Sequence, residues 1–144
     1  MNKIYPYKRK IYYYETDKMG IVHHSNYVRI LEEARIDFLA QAEMSFEKIE
    51  SMGLMMPILS VECHYKKPLT FGVDFAVYSK ITKFNGAVMD IEYRVVNCDT
   101  GELSLTGKSS QCFTDMNLKP IRTRNNYPEI YNVLSEYKGY EVTD

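Results

Sequence analysis

A chain of 144 residues with 45% hydrophobic and 26% charged side chains has the size and balance of one packed globular domain. A formal net charge of −1 supplies no basic surface for nucleic acid, and no stretch approaches the roughly 18 apolar residues of a membrane span. Cys63, Cys98 and Cys112 are odd in number and lack a C-x-x-C pair, which argues against a disulfide framework and a thiolate zinc site.

Met1 to Pro6 has no apolar signal region, so with reduced thiols the expected location is the cytoplasm. Lys8 to Glu15 is short, aromatic and β-prone, which predicts a first strand ending at the turn-forming Thr16-Asp17. From Tyr27 onward Ile30, Leu31, Ala34, Phe38 and Leu39 follow a 3.6-residue period, predicting one long helix from about Asn26 to Gln41. Ser25 is the expected N-cap, with Asn26 as its rival. On the polar faces of this helix, Arg29/Glu33 and Glu32/Arg35 have the spacing of surface ion pairs.

Met44 to Met52 fits a second short helix closed by Gly53, and Pro57 imposes extended geometry after it. Alternation then replaces helical spacing over Ile58 to Lys66, Asp74 to Lys83, Ala87 to Val96 and Glu102 to Thr114, giving four strands. Phe75, Val77, Ser79 and Ile81 share one face, as do Met89, Ile91, Tyr93 and Val95, so one side of the sheet is buried. Asn85-Gly86 and Asp99-Thr100-Gly101 supply the turns of a meander, and Pro128 opens a short C-terminal helix. The expected fold class is α+β over a single domain, residues 1–144: a five-stranded antiparallel sheet wrapped around one long central helix.

Chemistry concentrates between the first strand and the helix. Asp17 is ionised at neutral pH and sits at a reversal that Gly20 eases. The helix start that follows presents unpaired amides, and those near Val22 to His24 are candidates for polarising a carbonyl oxygen. Thioester hydrolysis requires such an oxyanion site together with a nucleophile or base, and Asp17 can fill either role. His24 can orient a carbonyl or shuttle a proton, and Tyr13 lies four residues before Asp17. Read alone, Thr16-Asp17 is more often a local backbone cap, and His23-His24 diverge too much to bind a metal together. His64 reads as an ordinary half-exposed strand residue. Met44, Met52, Met55 and Met56 fill gaps in the core or floor an acyl pocket.

The pattern Tyr13…Thr16-Asp17…Gly20-Ile21-Val22…His24…Asn26-Tyr27…Glu32…Ala34-Arg35, with Tyr65…Pro68…Gly72 downstream, resembles the hotdog-fold acyl-CoA thioesterases. Within them it is similar to the branch of 4-hydroxybenzoyl-CoA thioesterase and the bacterial acyl-CoA thioesterases associated with the Tol-Pal system. The resemblance implies the hotdog fold, Asp17 as catalytic carboxylate, the His24 amide facing the thioester oxygen, and Tyr13 and His24 in accessory catalytic positions. It also implies acyl-CoA as substrate, no cofactor or metal, and a homodimer with active sites at the subunit interface, paired into a tetramer.

Gly20, Val22, Tyr27, Glu32, Ser60, Lys66 and Lys83 complete the candidate substrate-binding set, and Lys66, Lys67, Lys83, Arg122 and Arg124 are candidates for the CoA phosphates. Two departures stand out. Val73, not an acid, follows Gly72, and His23-His24 occupy positions where the aromatic-acyl enzymes carry bulky aromatics, which favours short- to medium-chain acyl groups. The competing functions are a non-catalytic acyl-CoA binding module and a hotdog enoyl-thioester hydratase or dehydratase.

Overall fold

Helix α1, His24–Gln41, is the axis around which the chain is built. Tyr27, Ile30, Leu31, Ala34, Phe38 and Leu39 recur at three- and four-residue spacing and are all buried, so one face of the helix supplies much of the core. In the computed structural model, which describes residues 1–144, the helix begins two residues before Asn26 because His23 is its cap. The His23 imidazole accepts the Ser25 amide at 3.2 Å through Nδ1, and Ser25 Oγ lies 2.8 Å from the same nitrogen.

The strands and remaining helices follow in chain order. Strand β1 is Tyr7–Lys10, helix α2 is Phe46–Ser51, and β2 is the two-residue Leu54–Met55. Strands β3 (Ile58–Tyr65), β4 (Asp74–Phe84), β5 (Val88–Asn97) and β6 (Leu103–Cys112) come next. Strand β7, Thr114–Asp115, pairs with β2 in a small second sheet that alternation alone does not reveal. Helices α3 (Thr123–Asn126) and α4 (Pro128–Tyr137, with Pro at its start) close the fold.

The main sheet has the order β1-β4-β5-β6-β3 with every neighbour antiparallel. The expected meander is β4-β5-β6; Gly86 and Gly101 adopt φ of 91° and 77° in its two turns, where a residue with a Cβ would be strained. Strand β3 joins the far edge beside β6, and β1 closes the opposite edge against β4.

Alternation puts Phe75, Val77 and Ile81 of β4 and Met89, Ile91, Tyr93 and Val95 of β5 on the buried face, as expected. On β6 the matching position opposite the helix is Gly107, where a Cβ would come within 2.8 Å of Leu31 Cδ1 and 3.2 Å of the Glu62 carbonyl. Only a residue without a side chain lets α1 lie this close to the sheet.

First-strand residues Tyr13 to Glu15 are not extended. They form a 3-10 turn, and β1 stops at Lys10, because the Glu15 carboxylate folds back onto Arg9 of the strand it follows. The helix-surface ion pairs are also replaced. Glu33 turns to Arg9, while Arg35 is buried and donates to the Tyr93 hydroxyl at 3.3 Å. That hydroxyl lies 2.7 Å from Ser109 Oγ, which donates to Gln111 Oε1 at 2.9 Å, forming a polar cluster inside the sheet.

Candidate active site

Three segments converge near the start of α1. The loop after the 3-10 turn is held by a bridge between Thr16 and Val22, and Asp17 and Ile21 are joined by a backbone bond of 2.9 Å. Gly20, at φ 78°, donates its amide to the Asp17 carbonyl and closes the reversal. Opposite this loop runs Tyr65 to Thr70, docked where Val22 donates to the Leu69 carbonyl and Ile21 bridges Thr70.

Between them lies a groove of about 330 Å³ lined by Asp17, His24, Tyr27, Tyr65, Lys66 and Lys67, with Met19, Ile21, Val22 and Pro68 completing its wall. Tyr27 is buried, and its ring lies 5.5 Å from that of Tyr65; burial pushes its phenol above the ordinary value. Asp17 is half-buried, and one carboxylate oxygen accepts the Met19 amide at 2.8 Å. It therefore makes the local turn contact of a capping Asp while its carboxylate still borders the groove.

The amides at the helix entrance can be assigned one by one. Val22 donates to Leu69, His23 to Glu15, Ser25 to the His23 imidazole and Asn26 to the His23 carbonyl. The His24 amide has no acceptor in the chain. It stands at the first position of an 18-residue helix, where the backbone dipoles amount to roughly half a positive charge.

A second groove, on the other side of Asp17, is bordered by Tyr13, Tyr14, His23, Ser25 and Asn26. Tyr13 is 74% exposed with its ring edge-on to Phe71. Another cleft, about 460 Å³, lies elsewhere, on the outer sheet face among Glu62, Lys80, Glu92, Arg94 and Lys108. Its lining is mostly charged and polar, with Lys80 paired to Glu141, and it has no free helix amide, so the groove at the start of α1 is the better candidate.

Of the residues singled out from the sequence, Asp17, Val22, His24, Tyr27 and Lys66 come together around one groove, with Gly20 shaping the loop and Tyr13 on its outer side. Glu32, exposed on α1, and Ser60, exposed on β3, border neither groove. Lys83 lies nine residues along β4 from Asp74, about 30 Å at strand spacing, in a separate hollow with Asn85, Asp90 and Lys138. Arg124 is also remote, stacked on Tyr131.

The sequence reading missed the support behind this site. Glu15 is 4% exposed and accepts three N–H bonds, two from Arg9 and one from the Tyr12 amide, all at 2.8 Å. Burial disfavours its charge, but these bonds outweigh the penalty and hold its carboxyl below the ordinary range. The folded protein thus binds this proton less readily than the unfolded chain. The resulting stability is present above the ordinary glutamate value, about 4.3, and is lost as pH falls through the lower folded value. Urea unfolding at about pH 5 and pH 3 should show a smaller acid loss of stability in Glu15→Gln than in the native protein; equal losses would remove Glu15 as an acid-sensitive contact.

A model of the thioesterase-like superfamily matches residues 13–134. A Bacillus subtilis (strain 168) protein named "Putative acyl-CoA thioesterase YneP" is 32% identical over 130 residues, covering 90% of this chain and 94% of its own. The structure of a DHNA-CoA thioesterase from Staphylococcus aureus superposes with a TM-score of 0.87 at 27% identity, covering 92% of this chain and 89% of that one. A hypothetical protein from Aquifex aeolicus superposes with a TM-score of 0.82 at 33% identity, covering 90% and 98%. With a sheet curved around one long helix and a match spanning most of its length, the chain belongs to the thioesterase-like superfamily and has the hotdog fold.

Proposed function

We propose that this protein hydrolyses acyl-CoA thioesters to the free acid and CoA, favouring short- to medium-chain acyl groups. The observation that carries this reading is the free His24 amide sharing an apolar-walled groove with the Asp17 carboxylate. In that groove the thioester oxygen accepts a hydrogen bond from His24 N–H, and the positive end of α1 stabilises charge developing on it. Asp17 removes a proton from water as the water oxygen bonds to the carbonyl carbon. The tetrahedral oxyanion then collapses, the carbon–sulfur bond breaks, and the CoA thiolate leaves to take up a proton. In the covalent variant an Asp17 oxygen attacks the same carbon, the carbon–sulfur bond breaks as the CoA thiolate leaves, and water then hydrolyses the mixed anhydride, releasing the acid, restoring the Asp17 carboxylate and supplying the proton that the thiolate takes up. Both routes use the same geometry.

The imidazole of His24 and the hydroxyl of Tyr13 serve as accessory groups, and Lys66 and Lys67 at the groove offer charge to the CoA phosphates. Names borne by the relatives support an acyl-CoA substrate. Within the superfamily, we assign the chain to the 4-hydroxybenzoyl-CoA and Tol-Pal-associated branch on its Tyr13-to-Arg35 motif, with His23-His24 favouring simple acyl chains over aromatic ones. Its three free thiols suit a reducing, cytoplasmic location.

We further propose a homodimer, paired into a tetramer, whose sites form across the interface. Edge strand β3 exposes Ile58, Leu59, Val61 and Tyr65, and α1 exposes Val28 and Ile36. An uncovered edge bearing apolar side chains is a surface that monomers ordinarily protect. Glu32 and Ser60 join a site only by such assembly. Sedimentation of Leu59→Glu, which puts a charge on a residue 58% exposed in one chain, should show dimer association weakened at least about tenfold; an unchanged dimer would refute this interface.

Thiol release measured over acyl-CoAs of graded length tests the function. Turnover that peaks at short or medium chains is the expected result. Tight acyl-CoA binding by calorimetry without thiol release would instead establish a binding module, and hydration of an enoyl-CoA without thiol release a hydratase.

A further inference from the structure

We propose that Arg9, through Glu15 and Glu33, is the positioning residue that fixes the catalytic loop against α1; this rests on the reading of Asp17 and His24 above. All five N–H donors of its guanidinium are engaged. Nη1 and Nη2 each hold one Glu15 oxygen at 2.8 Å, Nε holds Glu33 Oε1 at 2.8 Å, Nη2 reaches Glu33 Oε2 at 3.3 Å, and Nη1 caps the Lys10 carbonyl at 2.9 Å. The group lies 4.6 Å from the Tyr12 ring centre and 5.1 Å from that of Phe75, so its plane is fixed by aromatic walls as well as by carboxylates.

The three elements it joins are those that carry the site. Arg9 is on β1, Glu15 ends the turn two residues before Asp17, and Glu33 is on α1, whose first residue is His24. Glu15 carries the link onward through its main chain. Its carbonyl accepts the His23 amide and the Asn26 side-chain amide, each at 2.9 Å. Asp17 and the His24 amide are therefore each within two residues of a group held directly or indirectly by the same guanidinium. Tyr7 adds a fourth tie, donating to Glu33 Oε1 at 2.8 Å, and burial followed by the Glu33 contact pushes its phenol up to about 12.

One cation between two carboxylates leaves a net negative charge, so simple neutralisation does not explain the cluster. Bidentate contact to one carboxylate and a side-on contact to another is a geometry that guanidinium supplies and ammonium does not. Lysine keeps the charge and loses the fork. Because misplacing reacting groups by about 1 Å can cost up to about a hundredfold in rate, the effect belongs in kcat rather than in substrate binding.

The test compares kcat and KM for thiol release in native protein, Arg9→Lys, Glu33→Gln and Asp17→Asn, normalised to folded protein by circular dichroism and measured well below each melting temperature. Arg9→Lys is expected to lower kcat about tenfold with KM within about twofold, and Glu33→Gln to lower kcat in the same sense by a smaller factor. Native kcat in folded Arg9→Lys, with Asp17→Asn inactive, would overturn the positioning role alone. Native turnover in Asp17→Asn would overturn the reading of the site instead. If Arg9→Lys does not fold, Glu33→Gln decides: native kcat there refutes the link to α1, and a kcat loss at constant KM supports it.

Discussion

Asp17→Asn should retain the fold and lose turnover by about 10²–10⁴-fold, the range expected when a positioned acid–base group is removed. The carboxylate is half-buried in a loop and makes one local bond, to the Met19 amide. An asparagine oxygen can accept that bond, so the Asp17-to-Gly20 reversal should persist in the variant. What the amide cannot do is accept a proton from water or attack a thioester carbon. The expected signature is a lower kcat with KM little changed, because the His24 amide, the Tyr27 and Tyr65 rings and the two lysines remain to bind the substrate. Turnover within tenfold of the native rate would show that water is activated by another group.

Gly107→Val should destabilise the protein by about 3 kcal/mol, the upper part of the range for overfilling a packed core. Leu31 is fully buried between α1 and the sheet, and even the first carbon of the new side chain would sit 2.8 Å from its Cδ1 and 3.2 Å from the Glu62 carbonyl. Side-chain motion relieves the first clash only by pushing Leu31 into its neighbours; the second is with backbone and requires β3 or β6 to shift. For a chain of this length the melting temperature should fall by roughly 6–12 °C, at about 2–4 °C per kcal/mol. Shortening Leu31 to alanine in the same protein should recover part of the loss, because the two residues compete for one volume. A melting temperature unchanged by Gly107→Val would mean that the helix is not pressed against β6 as described.

Where a side chain's surroundings are local, the sequence was sufficient guide. The spacing of Ile30, Leu31, Ala34, Phe38 and Leu39 marks α1 because burial on one face repeats with the helical turn, and Asn85-Gly86 marks its hairpin because the turn demands positive φ. Contacts between distant segments were less legible. Tyr13 and Tyr14 have strand propensity, but the Arg9–Glu15 pair overrides it and folds them into a turn. No periodicity links residue 9 to residues 15 and 33. Arg35 was readable in principle, since it lies on the same side of the helix as Leu31 and Leu39, although its charge suggested a surface partner. In the site itself, Asp17 and His24 stood out through their motif. The free amide emerged only when each neighbouring donor had found its acceptor. Lys83 illustrates the opposite case, a basic residue grouped by charge that the topology carries to the far end of the sheet.

The most direct measurement of the central claim is a crystal structure with an acyl-CoA analogue in which a methylene replaces the thioester sulfur, leaving a ketone that water cannot cleave. The ketone oxygen should lie about 2.7–3.1 Å from the His24 amide nitrogen, with the Asp17 carboxylate beside the carbonyl carbon, directly or through one water. An analogue bound with its carbonyl turned away from His24, or seated in the outer-face cleft among Lys80, Arg94 and Lys108, would contradict it.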